Sequence, residues 1–254
     1  MYIKKNIISL SLAFGFIIPA FAETVIDYDF TDEFAWDTTN SVQVVKDAGF
    51  TVNDDADNDD VVFVGGGDHA LILAGNTSGR YPIITYDFDD AIVQGNATFV
   101  ANATGASPHV GQIHFLNASG DLLFGTQLRQ DDGLYVYADG VYDGSGGPNL
   151  LPSGGSVNAF NSYEFIWSSN TDGTDGVVDV LFNGSSLLES PVGYQVDGVV
   201  DSLLLSVGYG SSSSNRYLRV TSMEVHSVPE PGTSALILGV GTLGFACLRR
   251  RQAR

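Results

Sequence analysis

The densest group of acidic side chains lies at residues 53–60, which read N-D-D-A-D-N-D-D. Asp55, Asp57 and Asp59 alternate in this segment, and the D-x-D-x-D spacing lets three carboxylates converge on one calcium ion. A complete EF-hand loop would also have glycine five positions after Asp55 and glutamate eleven after it, but aspartate and glycine stand there. Two interpretations therefore stay open. One is a calcium site at these three aspartates, and the other is a solvated acidic loop that keeps the protein soluble.

Two tyrosines of one predicted strand precede a loop that is rich in polar side chains. Tyr135 and Tyr137 alternate, so they point to the same face of the strand. The loop that follows, 138–161, carries Asp139, Tyr142, Asp143 and Asn149. Tyrosine rings stack on the apolar face of a sugar, while carboxylates and amides bind its hydroxyl groups. These six residues therefore predict a carbohydrate site. The alternative is that both tyrosines pack under a loop or pair across strands.

The sequence lacks the motifs of common hydrolytic enzymes. A glycosidase needs two facing carboxylates, often from one E-x-D-x-x-E strand, and no such motif occurs. No G-x-S-x-G nucleophile turn occurs either. Of the four histidines, only His109 and His114 lie close together, and their odd spacing puts them on opposite faces of a strand. We therefore predict that the histidines lie at the surface or in loops, and that the protein is not an enzyme.

The charge and cysteine content exclude further classes of function. The 254-residue chain has 30 acidic and 11 basic side chains, and its net charge is −19. Most of the basic side chains lie near the two ends of the chain, so the body between them is even more acidic. Such a body is repelled by phosphate backbones, which excludes ordinary nucleic-acid binding. Cys247 is the single cysteine, so neither an internal disulfide nor a multi-cysteine metal site can form.

Residues 1–22 have the three parts of a secretory signal peptide. Two lysines precede an apolar segment at 7–18, and Ala20 and Ala22 form an A-x-A cleavage site. An apolar segment of about 12 residues is shorter than the roughly 20 that a membrane-spanning helix needs. We expect signal peptidase to cleave before Glu23 and residues 23–227 to form one exported domain.

The C-terminal tail, 228–254, has three consecutive parts of its own. They are a Pro-Glu-Pro motif at Pro229, Glu230 and Pro231, an apolar segment at 232–248, and a basic end at 249–254 that begins with Arg249, Arg250 and Arg251. An apolar helix of this length spans about 26 Å, close to the ~30 Å of a hydrocarbon core, so 232–248 is predicted to cross the membrane. The arginines stay cytoplasmic by the positive-inside rule, which puts the body outside.

This order of parts is similar to the PEP-CTERM sorting signal of Gram-negative bacteria. The resemblance implies that exosortase, a membrane-embedded cysteine protease or transpeptidase, recognises the Pro-Glu-Pro motif and removes the tail. The chain would then be the substrate of this enzyme. Its precursor would be anchored in the inner membrane for a time, and its body would pass to the cell surface or the extracellular matrix. The alternative is a plain C-terminal anchor with a chance Pro-Glu-Pro.

The sequence between the two terminal segments predicts strands and no helix. Runs of β-branched and aromatic residues alternate with turn dipeptides such as Asn183-Gly184. Strands are predicted near 25–30, 61–64, 70–73, 83–88, 97–101, 112–115, 122–129, 134–138, 163–168, 177–182, 203–209 and 218–225. Without helices between strands, a parallel sheet is excluded, and we expect an all-β antiparallel sandwich or barrel.

Within that class, residues 160–226 resemble a concanavalin A-like, or laminin G-like, jelly roll. The resemblance rests on Y-E-F-I-W at 163–167, on V-D-V-L-F-N-G at 178–184, and on two late strands at 203–208 and 218–225. It implies an antiparallel jelly-roll β-sandwich.

Three functions fit these observations. The first, which we favour, is an exported surface or matrix protein whose body binds extracellular polysaccharide, with calcium as a candidate cofactor. The second is a structural or adhesive matrix protein without a small ligand. The third is an exported polysaccharide-active enzyme, which a long aromatic groove with two carboxylates about 5–9.5 Å apart would support.

Overall fold

The computed structural model describes residues 23–30, 41–53, 62–65, 70–75, 82–105, 111–129, 133–138, 149–169, 176–194, 198–207 and 216–228. These ranges form fifteen strands and one short helix. In chain order they are β1 (Glu23–Asp29), α1 (Ser41–Asp47), β2 (Thr51–Val52), β3 (Val62–Gly65), β4 (Ala70–Gly75), β5 (Ile83–Ile92), β6 (Gln94–Gly105), β7 (Gly111–Leu116), β8 (Leu122–Arg129), β9 (Gly133–Tyr137), β10 (Asn161–Ser169), β11 (Gly176–Phe182), β12 (Ser185–Ser186), β13 (Val192–Tyr194), β14 (Val200–Ser206) and β15 (Arg216–Ser227).

The strands form two antiparallel sheets. The large sheet has nine strands in the order β12-β11-β10-β6-β15-β4-β3, with β1 added beside β15 and β13 beside β11. The small sheet has six strands in the order β2-β5-β14-β7-β8-β9. The chain passes repeatedly from one sheet to the other, and its first strand pairs with its last. This architecture confirms the predicted antiparallel β-sandwich.

The two sheets pack face to face through alternate side chains of their strands. On β10, Tyr163, Phe165 and Trp167 are buried, because every second residue of a strand points to the same face. Phe115 of the small sheet contacts Phe165 and Trp167 of the large one, with ring centroids 5.1 Å and 5.2 Å apart. These aromatic contacts hold the sheets together and determine which face of each strand is internal.

A tight turn between β11 and β12 confirms one of the predicted turn dipeptides. Asn183 and Gly184 have φ angles of 50° and 77°, and a type I′ turn requires positive values at both central residues. The side-chain oxygen of Asn183 also accepts the N–H of Ser162 at 3.0 Å. The Asn-Gly pair thus closes the hairpin and ties it to the neighbouring strand β10.

Each predicted strand is present, whereas α1, β2, β12 and β13 were not predicted. The helix α1 has seven residues, too few to give a recognisable helical period in the sequence. It forms where Val42 and Val45 reach the core, so tertiary packing stabilises it. The domain boundaries predicted before Glu23 and after Ser227 stay predictions.

The predicted signal peptide at 1–22 and the predicted transmembrane helix at 232–248 lie outside the described residues. Within the ranges that the structure describes, no helix has the length and apolar character needed to cross a membrane.

Candidate functional site

The outer face of the small sheet carries a group of polar side chains, which we call the polar face. Ile113, Phe115 and Phe124 are fully buried between the sheets, so the residues that alternate with them on β7 and β8 point outward. Partners opposite those residues on neighbouring strands share the same face. The polar face comprises Thr85, Asp87, Gln112, His114, Gly125, Gln127, Arg129, Tyr135, Tyr137, Ser202 and Ser206, and the apolar Leu204 lies among them between His114 and Thr85.

One row of the polar face brings a histidine and a tyrosine together across a glycine. His114 lies opposite Gly125, and Gly125 lies opposite Tyr137. A Cβ atom at position 125 would come within 2.7 Å of Cδ2 of His114. Because residue 125 has no Cβ atom, the ring of His114 lies against the backbone of β8 and meets the ring of Tyr137 edge to face, with the centroids 5.0 Å apart. Two proton-bearing rings therefore lie side by side at Gly125.

His114 itself is not the surface or loop histidine that the sequence predicts. It lies within β7, and its Nε2 atom is buried without a hydrogen-bond partner among the described residues. Burial lowers the pKa of His114 from 6.5 to about 4, because a charged imidazole is poorly solvated there. The ring is therefore neutral at neutral pH, with one nitrogen to donate and one to accept a hydrogen bond.

A second row beside the first supplies amides, a hydroxyl and another tyrosine. Gln112, Gln127 and Tyr135 lie opposite one another on β7, β8 and β9. The Oγ of Ser206 donates to Oε1 of Gln112 at 2.8 Å, and Gln127 is only 2% exposed. The polar groups of this row are therefore held in place by neighbours and shielded from most solvent.

Arg129 brings a positive charge to the same face. Its guanidinium carbon lies 5.0 Å from the centroid of the Tyr135 ring, which is a cation–π geometry. Arg129 is one of few basic residues in a strongly acidic chain. It marks the end of the polar face where the strands β8 and β9 meet in their hairpin.

Asn149, one of the predicted sugar-binding residues, holds the backbone beside β9. Its Oδ1 atom accepts the N–H groups of Leu134 and Leu151, each at 3.0 Å. These bonds attach this part of the predicted loop to the first residues of the strand that carries Tyr135 and Tyr137. A contact between Asn149 and a sugar stays a prediction.

The structure thus joins two predicted site residues, Tyr135 and Tyr137, to several that the sequence did not single out. Their signal was the alternation of Gln112 with His114 in a predicted strand, which gives two polar side chains on one face. Other predicted site residues lie outside the described residues: Asp139, Tyr142 and Asp143 of the loop, Asp55, Asp57 and Asp59 of the calcium cluster, Ala20 and Ala22 of the cleavage site, and Pro229, Glu230, Pro231, Arg249, Arg250 and Arg251 of the tail. Glu23 begins β1.

Within the described ranges, no three histidine, cysteine or acidic side chains lie close enough together to hold a metal ion. The calcium site at the three predicted aspartates stays a prediction.

The outer face of the large sheet differs, and we call it the acidic face. Asp27 lies opposite Glu224, which in turn lies opposite Thr98, and Thr98 lies opposite Glu164. The side chain of Glu224 is half exposed, and its Oε1 lies 2.7 Å from Nε2 of His226. Water solvates these carboxylates, so this face has the features of an ordinary solvated surface.

A comparison with protein families identifies the C-terminal segment. Residues 227–251 match the family described as the PEP-CTERM protein-sorting motif. The chain carries a PEP-CTERM sorting signal. The match confirms the resemblance predicted from the Pro-Glu-Pro motif, the apolar segment and the arginines, and it implies export sorted by exosortase. No curated protein sequence matches the chain.

Comparison with solved structures identifies the fold. A sialidase superposes with a TM-score of 0.58 at 12% identity, over 81% of this chain and 19% of the sialidase chain. The alginate lyase Aly36B superposes with a TM-score of 0.55 at 12% identity, over 80% of this chain and 96% of the lyase. A structure described with mucin-degrading O-glycanases of the human gut microbiota gives 0.52 at 10% identity, over 82% and 100% of the two chains. At such identities the likeness shows the jelly-roll β-sandwich alone.

Proposed function

We propose that the chain is an exported cell-surface or matrix protein whose body binds a polysaccharide through the polar face. The sorting signal supports export and delivery to the surface. The observation that carries the binding proposal is the row of His114, Gly125 and Tyr137, where a buried imidazole nitrogen has no partner in the described structure. Such an unsatisfied group costs about 1–3 kcal/mol. Because this nitrogen is buried, a ligand hydroxyl would reach it only after the side chains that cover it move, and the hydrogen bond would then remove that cost.

The shape and chemistry of the polar face suit a sugar chain. The five strands from β5 to β9 in the small sheet lie about 4.8 Å apart, so the face is roughly 20 Å wide. Amide groups of Gln112 and Gln127 suit sugar hydroxyls, and the rings of Tyr135 and Tyr137 suit the apolar side of a sugar. A face of this width fits an extended chain better than a single sugar.

Arg129 suggests which sugars are preferred. A guanidinium binds a carboxylate through two parallel hydrogen bonds, which makes arginine well suited to acidic ligands. We therefore expect polysaccharides that contain uronic acids to bind more tightly than neutral ones. The acidic body opposes this preference at long range, so added salt should weaken the repulsion.

The test is a glycan array on the purified body, residues 23–228, with calcium and with chelator. His114→Ala should weaken binding by about 1–3 kcal/mol if its nitrogen contacts the ligand. His226→Ala on the acidic face is the matched control and should leave binding unchanged. Equal affinity in both variants and the wild type would move the site elsewhere. Absence of any glycan binding would favour a structural matrix protein without a small ligand.

The calcium arm of the array tests the acidic cluster separately. If Asp55, Asp57 and Asp59 hold calcium with a Kd near 10⁻⁴ M, millimolar calcium should stabilise the body by roughly 1.4 kcal/mol. Replacing Asp57 and Asp59 by asparagine should abolish that effect. An identical melting temperature with calcium and with chelator would leave a solvated acidic loop.

One observation favours a second function, cleavage of an acidic polysaccharide. The neutral His114 ring contacts Tyr137, and imidazole and phenol groups are both used to transfer protons. With a uronate bound, one group would remove the proton beside the carboxylate and another would protonate the leaving glycosidic oxygen. The product would be an unsaturated sugar and a shortened chain.

This second function is tested by incubating the protein with polyuronates and following the ultraviolet absorbance of the new double bond. Alginate belongs among them, because an alginate lyase shares the fold. Tyr137→Phe and His114→Gln should each remove the activity while His226→Gln keeps it. A wild-type protein that binds polyuronate without any absorbance change would support binding without catalysis, which is our first proposal.

A further inference from the structure

The first and last strands of the body end side by side. Glu23 of β1 lies opposite Ser227 of β15, and Thr24 lies opposite His226. Oγ1 of Thr24 and Nδ1 of His226 are 3.2 Å apart, within hydrogen-bond distance. We call this end of the large sheet, formed by Glu23, Thr24, Ser227 and Val228, the terminal pole. The predicted signal-peptide cleavage site and the start of the sorting signal are therefore at the same end of the body.

Strand β15 stays in the sheet as far as the sorting motif. Ser227 lies opposite Gly95, and the N–H of Val228 donates to the carbonyl of Gln94 at 2.7 Å. Gly95 is itself fixed against the core, because a Cβ atom there would lie 2.6 Å from the ring of Trp167. The folded sheet therefore extends to Val228, and the Pro-Glu-Pro motif begins at the next residue.

Covalent geometry keeps the terminal pole near the membrane while the tail is attached. Residues 229–231 separate the pole from the predicted spanning segment, and an extended chain covers at most about 3.6 Å per residue, or roughly 11–14 Å in all. The headgroup layer on one side of a bilayer is about 5–8 Å thick. The opposite pole, where β15 begins, is a 12-residue strand away, which is about 40 Å.

We propose that the terminal pole is a docking surface for the membrane-embedded sorting enzyme, which reads the Pro-Glu-Pro motif together with the adjoining end of the large sheet. Glu23 and Thr24 are exposed at this pole, and an exposed carboxylate and hydroxyl suit a protein surface better than lipid. Because the motif begins directly after a strand, one of its ends is already positioned relative to the pole, which lowers the conformational entropy lost when both are bound together. The proposal is independent of the glycan site on the polar face.

The test lengthens the connection without changing the motif. Ten glycine and serine residues are inserted between Val228 and Pro229 of the full chain, and tail removal is followed by intact mass in cells that contain the sorting enzyme. Glu230→Ala, which we expect to stay membrane-retained and unprocessed, gives the zero level. We expect the insertion to slow tail removal severalfold, because the motif no longer arrives with the pole.

The matched control places the same insertion at 106–110, between β6 and β7. This position follows Gly105 in the chain, and Gly105 lies opposite Arg216 at the far end of β15. The control should be exported, folded and processed like the wild type. Wild-type processing of the variant lengthened after Val228 would overturn the proposal, since the motif would then be read without the pole.

A distance measurement keeps the proposal testable if the lengthened variant is poorly exported. Cys247→Ser removes the native cysteine, and single cysteines for a dye are placed at Gln94, beside the terminal pole, or at Ser185, at the far end of β11. The Glu230→Ala chain, anchored by its tail, is then placed in vesicles whose lipid headgroups carry a fluorescence quencher. We expect the dye at position 94 to be quenched and the dye at position 185 to keep its fluorescence. Equal quenching at both positions would overturn the proposal.

Discussion

His114 and His226 lie on opposite outer faces of the sandwich, and their surroundings differ. His226 is near solvent on the acidic face, with Nε2 2.7 Å from the carboxylate of Glu224 and Nδ1 3.2 Å from the hydroxyl of Thr24. His114 is enclosed in the polar face, where its Nε2 has no partner in the described structure and its pKa is lowered to about 4. A buried polar atom without a partner in the described structure occurs on both outer faces, because Oδ1 of Asn102, opposite Arg219 on the large sheet, also lacks one. The difference is that the atom on the polar face belongs to an imidazole that contacts a tyrosine ring.

Each of the two outer faces also contains a cation–π pair of an arginine and a tyrosine. Arg129 lies over Tyr135 on the polar face, and Arg219 lies over Tyr217 on the outer side of the large sheet, at 5.0 Å and 5.2 Å. A cation–π pair alone therefore does not mark a site. On the polar face the pair lies beside Gln127 and near the contact between His114 and Tyr137, whereas on the large sheet Arg219 lies opposite Asn102.

The largest effect that tests this comparison is expected at Gly125 of the polar face, where no space is left for a side chain. Gly125→Val would push a side chain into the backbone of β7 and the ring of His114, so we expect a loss of about 3 kcal/mol or more in the free energy of unfolding. Glycan binding should disappear with it. Denaturant melts measure the first effect, and affinity measurements at low temperature measure the second.

Gly193 in β13 provides the control for that change. A Cβ atom there meets nothing closer than 3.7 Å, so Gly193→Val should change the stability by less than about 0.5 kcal/mol, as is usual for surface substitutions. If both variants were equally stable, the close contacts at Gly125 would not restrict the side chain at that position.

Acid should destabilise the body through His114. Its folded pKa of about 4 is below the unfolded value of 6.5, so the unfolded chain takes up the proton first as the pH falls. The stability that the neutral ring contributes is present above pH 6.5 and is lost as the pH falls towards 4, with a maximum effect of about 3 kcal/mol. His114→Gln should flatten this part of the stability–pH curve. Curves of the same slope in wild type and variant would contradict the burial of the ring.

Removing one tyrosine from each arginine pair should separate binding from stability. Tyr135→Ala should weaken glycan binding by about 1–3 kcal/mol, the range for losing an aromatic contact. Tyr217→Ala should lower the free energy of unfolding by about 0.5–1 kcal/mol, the range for an exposed cation–π pair. It should leave glycan binding unchanged. Tyr142→Ala shows whether the predicted loop contributes to the same site. Equal binding by the 135 and 217 variants would remove the distinction between the faces.

The smallest effect is expected on the acidic face. Asp27 and Glu224 lie directly opposite each other on β1 and β15, and like charges in such positions repel by a few tenths of a kcal/mol. Asp27→Asn should therefore raise the melting temperature slightly at low salt and have no effect at high salt. A loss of stability would show that this carboxylate has a favourable partner.

Local sequence patterns were enough for most of the strands and for the sorting signal, but not for α1, β2, β12 and β13. The alternation of Tyr163, Phe165 and Trp167 identifies a strand with one buried face, and the Asn183-Gly184 pair identifies a tight turn, because both depend on neighbours along the chain. The sorting signal is likewise a linear motif, so residues 227–251 could be interpreted without any structure.

The site depended on the tertiary structure. Tyr135 and Tyr137 could be named from their spacing, but His114 and Gly125 join them only through the pairing of β7 with β8 and of β8 with β9. A shift of one residue in either register would move His114 to the other face of the sheet. That register is set by the packing of Phe115 and Phe124 against the rings of the large sheet, which are distant in sequence. For this reason the local spacing predicted His114 to be a surface or loop histidine. Its place beside Tyr137 depends on the pairing and packing of the sheets.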